Sequence, residues 1–279
     1  MDNNDPTLVI GATGKTGRRV AERLLRRGLP CRLGSRSGTP RFDWDDRETW
    51  AAALEGVAAV YITYYPDLMV AGAVERVRDF AELAVRSGAR RLVLLSGRGE
   101  EAAERAEKAV RESGADWTIL RASWFAQNFS ENFFVEGLRA GTLALPAGEV
   151  AEPFVDVEDI ADVALAALTE EGHVGQLYEL TGPRLLSFAE ATAEIARASG
   201  RDIHYRQVAA ADFAAGMAAA GLPGDFVELV MDLFTVVLDG RNASLADGVQ
   251  RALGRPPRDF ADYARQAAAT GVWTGAAAA

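Results

Sequence analysis

Three glycines spaced three apart, Gly11, Gly14 and Gly17, lie between the apolar run TLVI (7–10) and the helical pattern GRRVAERLLRRG. So bare a backbone is costly inside a helix or strand, by about 0.5–1 kcal/mol per glycine against alanine. It suits a tight strand-to-helix turn whose main chain comes close to another group. Gly11 permits the turn, Gly14 lets backbone approach a phosphate, and Gly17 lets the helix sit close to the sheet. The helix start then presents N–H groups and the positive end of its dipole to an anion. Thr13, Lys15 and Thr16 add side-chain donors there. A strand before the loop and a helix after it make this a dinucleotide phosphate site in an α/β fold.

The same alternation continues down the first half. TLVI (7–10), CRLG (31–34), AAVYI (58–62), RLVLL (91–95) and WTIL (117–120) have the length and apolarity of strands buried on both faces. Between them, GRRVAERLLRRG, ETWAAALEG, VAGAVERVRDFAELAVRSG and EEAAERAEKAVRESG place apolar residues three and four apart. Each ends on glycine, the residue favoured just past a helix. Strand–helix alternation implies right-handed crossovers and a doubly wound parallel sheet. After about residue 122 the rhythm changes. Aromatic residues cluster in SWFAQNFSENFF, TLALP and QLYELTG suggest a strand pair, and alanine-rich helical stretches follow. The expectation is a dinucleotide-binding domain over 1–150 and a smaller annex over 151–279, with some segments returning to the first.

Charge and cysteine usage narrow the partners. A net charge of −10 over 279 residues argues against nucleic acid or an anionic membrane, both of which call for a basic face. No apolar run approaches the roughly 20 residues of a membrane-spanning helix. The polar start, MDNNDP, has no signal-peptide pattern. Cys31 is the one cysteine and has no internal partner, so a reducing, cytoplasmic setting is expected. His173 and His204 lack metal-ligand spacing, and no metal is expected. A homodimer is open to such a chain.

The second strand bears on which dinucleotide binds. An NAD site places an acid about 20 residues past the glycine loop, to accept from the ribose 2′-OH. From Leu29 to Phe42 there is none, and Arg36 stands between Ser35 and Ser37. A guanidinium there suits a 2′-phosphate, against the plainer reading of a solvated loop cation. NADP(H) is therefore expected, with NAD(H) as the alternative. Asp43 either lies near the adenine edge or caps the helix that begins at Glu48.

With the glycine loop, Arg36 and SGADWTILRASWFAQNF (113–129) together, the chain resembles the NmrA-like atypical short-chain dehydrogenases/reductases. The stretches PFVDVEDIADVALAALTE, YELTGPRLLSFAEATAEIARASGR and LGRPPRDFADYAR extend the resemblance over nearly the whole chain. It implies a Rossmann domain with a small C-terminal α/β annex over the substrate. It also implies an activity among three kinds: an NADPH-dependent reductase of an aromatic or quinone-type small molecule, a non-catalytic NADP(H) sensor, or a tailoring enzyme doing non-hydride chemistry such as oxygenation or rearrangement. Aligned on SGADWTILR, the tyrosine and lysine of typical short-chain dehydrogenases fall on Gly99 and Ala103, and neither can move a proton. Lys108, among Glu104, Glu107 and Glu112, suits an exposed ion pair better.

Strand ends place the remaining candidates. For the coenzyme these are Thr63, Tyr64 and Ser96, beside the loop residues, Arg36 and Asp43. Ser96, where relatives often hold a substrate carbonyl, is the one catalytic candidate, with helix capping as its alternative. Tyr65, Ser123, Trp124, Phe125, Asn128 and Phe154 are expected around an aromatic substrate. Phe129, Phe133 and Phe134, spaced like one helix face, are expected in the core. Asp156 and Asp159 are expected to cap and charge a helix start.

Overall fold

The computed structural model describes residues 5–132 and 134–274, so the MDNN start and Phe133 lie outside the described residues. Along the chain come β1 (Thr7–Ile10), α1 (Lys15–Arg26), β2 (Cys31–Gly34), α2 (Glu48–Leu54), β3 (Ala59–Ile62), α3 (Ala73–Arg86), β4 (Arg91–Gly97), α4 (Glu101–Glu112) and β5 (Asp116–Ala122). A 3₁₀ turn, Ala126–Phe129, leads to α5 (Phe134–Arg139), β6 (Thr142–Leu145) and β7 (Ala151–Glu152). Then follow α6 (Val157–Thr169), β8 (Gln176–Leu180), β9 (Leu186–Ser187), α7 (Phe188–Ser199) and β10 (His204–Gln207). Helices α8 (Ala210–Ala219), α9 (Gly224–Asp232), α10 (Gly248–Leu253) and α11 (Phe260–Ala269) complete the order.

The chain divides into two units. One holds the chain through Ala122, Val157–Leu180 and Asp247–Arg255; the other holds Ser123–Asp156, Thr181–Ala246 and the residues from Pro256 on. The division does not fall at residue 150. It follows pairing and packing, since β8 extends the sheet beside β5 and α6 packs on α1.

In the first unit six strands run parallel in the order β2-β1-β3-β4-β5-β8. Alternate side chains serve two layers. Leu8, Ile10, Val60, Ile62, Leu92, Leu94 and Ile119 join one core with Trp50, Val77, Phe80 and Val110 from α2, α3 and α4. Their neighbours Val9, Tyr61, Val93 and Leu120 are fully buried on the opposite face, where α6 crosses β3, β4 and β5. Each such residue contributes about 1.5–3 kcal/mol of burial. That two-sided demand is why the strands read as continuous apolar runs. An ion-pair clamp ties α1 to α6, with Arg23 reaching Glu158 at 2.6 Å and Asp162 at 2.7 Å, while Arg255, just past α10, reaches Asp159 of α6 at 2.7 Å. Asp159 is wholly buried, so its partner is Arg255 rather than only the helix dipole.

Two segments differ from expectation. QLYEL does not pair with TLAL; it is β8 of the parallel sheet, while β6 pairs in parallel with β10. CRLG, expected to be buried on both faces, is β2 at the edge of the sheet with Leu33 46% exposed, and among the described residues the chain past it adds no strand to the sheet before α2. Phe42 and Trp44 instead fold into an aromatic box with Trp50 and Phe80, the Trp44 ring lying 5.1 Å from Phe42, 5.8 Å from Trp50 and 5.3 Å from Phe80.

The second unit is built around aromatic rings. Phe129, Phe134, Phe154, Phe188, Phe234, Phe260 and Trp273 share one core. The expectation for Phe129 and Phe134 therefore holds. Trp273 donates its indole N–H to the Phe129 carbonyl at 2.7 Å. Helix α7 begins with a reciprocal capping box between Ser187 and Glu190. Arg184 grips Asp259 with two 2.8 Å hydrogen bonds and Glu194 at 2.7 Å.

Candidate functional site: the rim of the parallel sheet

The glycine loop has the geometry its spacing implies. Gly11 sits at φ +67°, in the left-handed region, and a Cβ there would overlap the Thr63 hydroxyl. That hydroxyl donates to the Ile10 carbonyl at 3.1 Å, tying the end of β3 to the start of the loop. The Gly14 N–H donates to the Gly11 carbonyl at 2.8 Å and closes the turn. A Cβ on Gly17 would overlap the same carbonyl, so the helix can approach only because that position is bare. Gly14 is extended at the helix entry, no side chain caps α1, and no acid stands in its first turn. Gly14 and Thr13 are exposed, Lys15 is half-buried and Thr16 is buried. A diphosphate therefore fits this cradle on backbone, dipole and charge together.

Beside the loop a groove of about 670 Å³ runs along the edge strand. Ala12 and Thr13 from the loop, Cys31 and Leu33 from β2, and Ser35, Ser37, Gly38 and Thr39 beyond it line the walls. Its volume suits one half of a dinucleotide. Arg36, between two lining serines, is exposed, with its guanidinium 5.9 Å from the Tyr65 ring centroid. Asp43 pins the turn into α2. Its backbone N–H meets the Thr49 hydroxyl at 3.0 Å, and its carbonyl accepts from the Trp50 indole at 2.8 Å. Burial raises its carboxyl, but the Asp45 N–H and the Arg41 guanidinium outweigh this and hold it below the usual carboxylate range.

At the end of β3, Tyr64 leans on Trp44 at 4.9 Å, and its hydroxyl accepts from Arg76 at 3.1 Å. Tyr65 is 70% exposed. At the end of β4, Ser96 is buried and donates to Glu107 at 2.7 Å. Glu107, 1% exposed, is also held by Arg121 at 2.6 Å and Arg111 at 3.2 Å. Ser96 is thus neither a cap nor a free hydroxyl: it belongs to a buried ion-pair network. Its role as catalytic candidate loses its physical basis. Ala103 is fully buried, and Lys108 is a surface cation 3.7 Å from Glu112.

A pair of carboxyls escaped the sequence reading. Glu100, at the N-cap position of α4, makes no capping hydrogen bond. Its carboxyl folds back over Gly97, where a Cβ would overlap both oxygens. Burial pushes its pKa well above the usual range, and the charges of Asp67 and Glu107 add to the effect. Asp67 is raised by burial too, opposed by the Met69 N–H at 2.9 Å. The signal available in sequence was the glycine opposite a loop acid, SGRGE, which periodicity does not flag.

The second unit holds the other expected residues. Ser123 is buried, with no hydrogen-bond partner for its hydroxyl among the described residues. Trp124 packs at 5.3 Å on Phe188 and 5.1 Å on Phe234. Phe125 forms a bridge with Val155, and the Asn128 N–H donates to the Phe125 carbonyl at 3.0 Å. Phe154, 2% exposed, lies among Phe129, Phe188 and Phe260. Asp156 accepts from Gln127 at 2.7 Å.

Comparison with known proteins matches residues 11–171 to a family model described as NAD(P)H-binding. The chain is 31% identical to the uncharacterized oxidoreductase YesF of Bacillus subtilis over 98% of its own length and all of YesF. It is 33% identical to the agroclavine dehydrogenase of Claviceps fusiformis, covering 92% of this chain and 95% of that one. An NAD(P)H azoreductase of Xenophilus azovorans is 29% identical, with 94% and 98% covered. Among solved structures, an NADPH-dependent quinone oxidoreductase from Escherichia coli complexed with NADPH superposes with TM-score 0.78 at 22% identity, covering 94% of this chain and 99% of that one. The transcriptional regulator NmrA in complex with NADP superposes with TM-score 0.73 at 17% identity, covering 97% of each. The fold expected from the resemblance is the fold found.

Proposed function

The chain belongs to the NAD(P)H-binding family, and on that premise we propose that it is an NADPH-dependent oxidoreductase acting on an aromatic or quinone-type small molecule. One observation carries the coenzyme half of this reading. The bare loop at Gly11, Gly14 and Gly17 stands beside a groove lined by Ser35 and Ser37, with Arg36 exposed between them and no acid from Leu29 to Phe42. The loop amides and the α1 dipole hold the pyrophosphate. Arg36 takes the 2′-phosphate by charge-assisted hydrogen bonds, with Thr13 and Lys15 as further donors. Asp43 and Thr63 keep the two walls in place through their backbone and hydroxyl bonds.

When bound, the reduced nicotinamide supplies a hydride. The chain's residues orient the acceptor and exclude water. A quinone fits a rim without the usual tyrosine–lysine pair, because its reduced form is a stabilised phenolate. Tyr65, exposed past the end of β3, is proposed to contact the acceptor by ring stacking. The names of the azoreductase, the agroclavine dehydrogenase and the quinone oxidoreductase support this class.

The test is absorbance at the reduced-nicotinamide band with a panel of naphthoquinones. Oxidation of NADPH that needs both protein and quinone is expected. Tight binding of NADPH with no turnover across the panel would favour a sensor instead.

A further inference from the structure

We infer that the Glu100 carboxyl, seated over Gly97 at the end of β4, is the proton donor for acceptors that need one. The inference goes beyond quinones and rests on the reading of this rim as a nicotinamide-dependent reductase. Gly97 ends β4 on the rim, where ligands bind in a parallel sheet. Its missing side chain is the space the carboxyl occupies. Among the described residues no hydrogen-bond donor reaches the Glu100 carboxyl, unlike that of Glu107 two helix turns further on, which accepts from Ser96, Arg121 and Arg111. The positive groups nearby are already matched. Arg98 pairs with Glu179, Arg121 with Glu107, Glu104 and Glu179, and Arg111 with Glu107. The groups that act on Glu100 are therefore Asp67 and Glu107, both negative, together with burial, and all favour the neutral acid.

A neutral carboxyl at this place can complete a reduction that Gly99 and Ala103 cannot. The acceptor takes up a hydride at one end of its double bond, and the π pair moves to the other heteroatom. The O–H bond of Glu100 breaks, its electron pair stays on the carboxylate, and the proton bonds to that heteroatom. Water restores the proton once product has left. A quinone, whose product is a weakly basic phenolate, gains little from this step. An azo group or an imine, whose reduced anion is strongly basic, depends on it.

The experiment compares wild type, Glu100→Gln, Asp67→Asn and Gly97→Ala with NADPH and two acceptors, a naphthoquinone and the azo dye methyl red. Glu100→Gln is expected to lower kcat for the dye by about 10²-fold or more while quinone reduction changes several-fold at most. Gly97→Ala, which keeps the acid but displaces it, is expected to act in the same direction. Asp67→Asn removes one opposing charge, so the loss of dye reduction with rising pH is expected to move to lower pH.

Infrared titration of the free protein gives a readout independent of turnover. A protonated-carboxyl stretch is expected to persist above the ordinary glutamate range and to lose intensity in Glu100→Gln. An unchanged infrared spectrum, or equal slowing of both acceptors, would overturn the donor role while leaving the reductase reading intact. Failure of wild type to oxidise NADPH with either acceptor would remove that reading and this inference together.

Discussion

The two ends of the sheet rim are built from different materials. At β1 and β2 the site is backbone: three bare positions, a helix start without a cap, and an exposed guanidinium beside a groove. At β3 and β4 it is side chain: Ser96, Glu107 and Arg121 locked together, with Glu100 folded over Gly97. Backbone sites tolerate few residues at fixed spacing and therefore announce themselves. Side-chain sites depend on which rotamers the fold brings into contact. The contrast assigns binding to the first end and proton chemistry to the second.

Substitutions can break that assignment. The largest effect is expected at Gly17. Alanine there drives a Cβ into the Gly11 carbonyl, at a cost of about 1–3 kcal/mol of stability and at least about tenfold in NADPH affinity, read by thermal unfolding and coenzyme titration. Arg36→Ala should weaken NADPH binding by about 1.5–3 kcal/mol while leaving NADH nearly unchanged. Equal weakening of both would remove the 2′-phosphate role.

At the other end the expected signature is a pH slope. Glu100 binds its proton more tightly folded than unfolded, so its contribution to stability is full below the ordinary glutamate pKa. It is lost as pH rises through the higher folded value. Unfolding measured across that window should show stability falling with pH, and Glu100→Gln should flatten the slope. The smallest effect is expected at Lys108, whose exposed pairing with Glu112 makes Lys108→Ala worth about 0.5 kcal/mol or less in denaturant unfolding. Loss of activity there would reopen the lysine alternative.

Legibility in the sequence divided along the same line. Strands buried on both faces left apolar runs that could be placed to within a residue or two. The glycines past four helices, Gly28, Gly56, Gly88 and Gly114, all adopt positive φ. QLYEL was misplaced because local pattern marks a strand and says nothing of its partner. The stretch after β2 was opaque for a related reason, since Phe42, Trp44 and Trp50 meet only once α2 and α3 have packed. Ser96 looked like a catalytic hydroxyl until Glu107, eleven residues on, turned out to accept from it. Glu100 looked like one more acid in a charged helix start.

The most direct test of the account is calorimetric titration of NADPH and NADH into the intact protein at micromolar concentration. Saturable binding is expected, with NADPH tighter than NADH by at least about tenfold, the equivalent of about 1.4 kcal/mol. No heat from either coenzyme, reduced or oxidised, would contradict the claim that the loop and Arg36 form a coenzyme site.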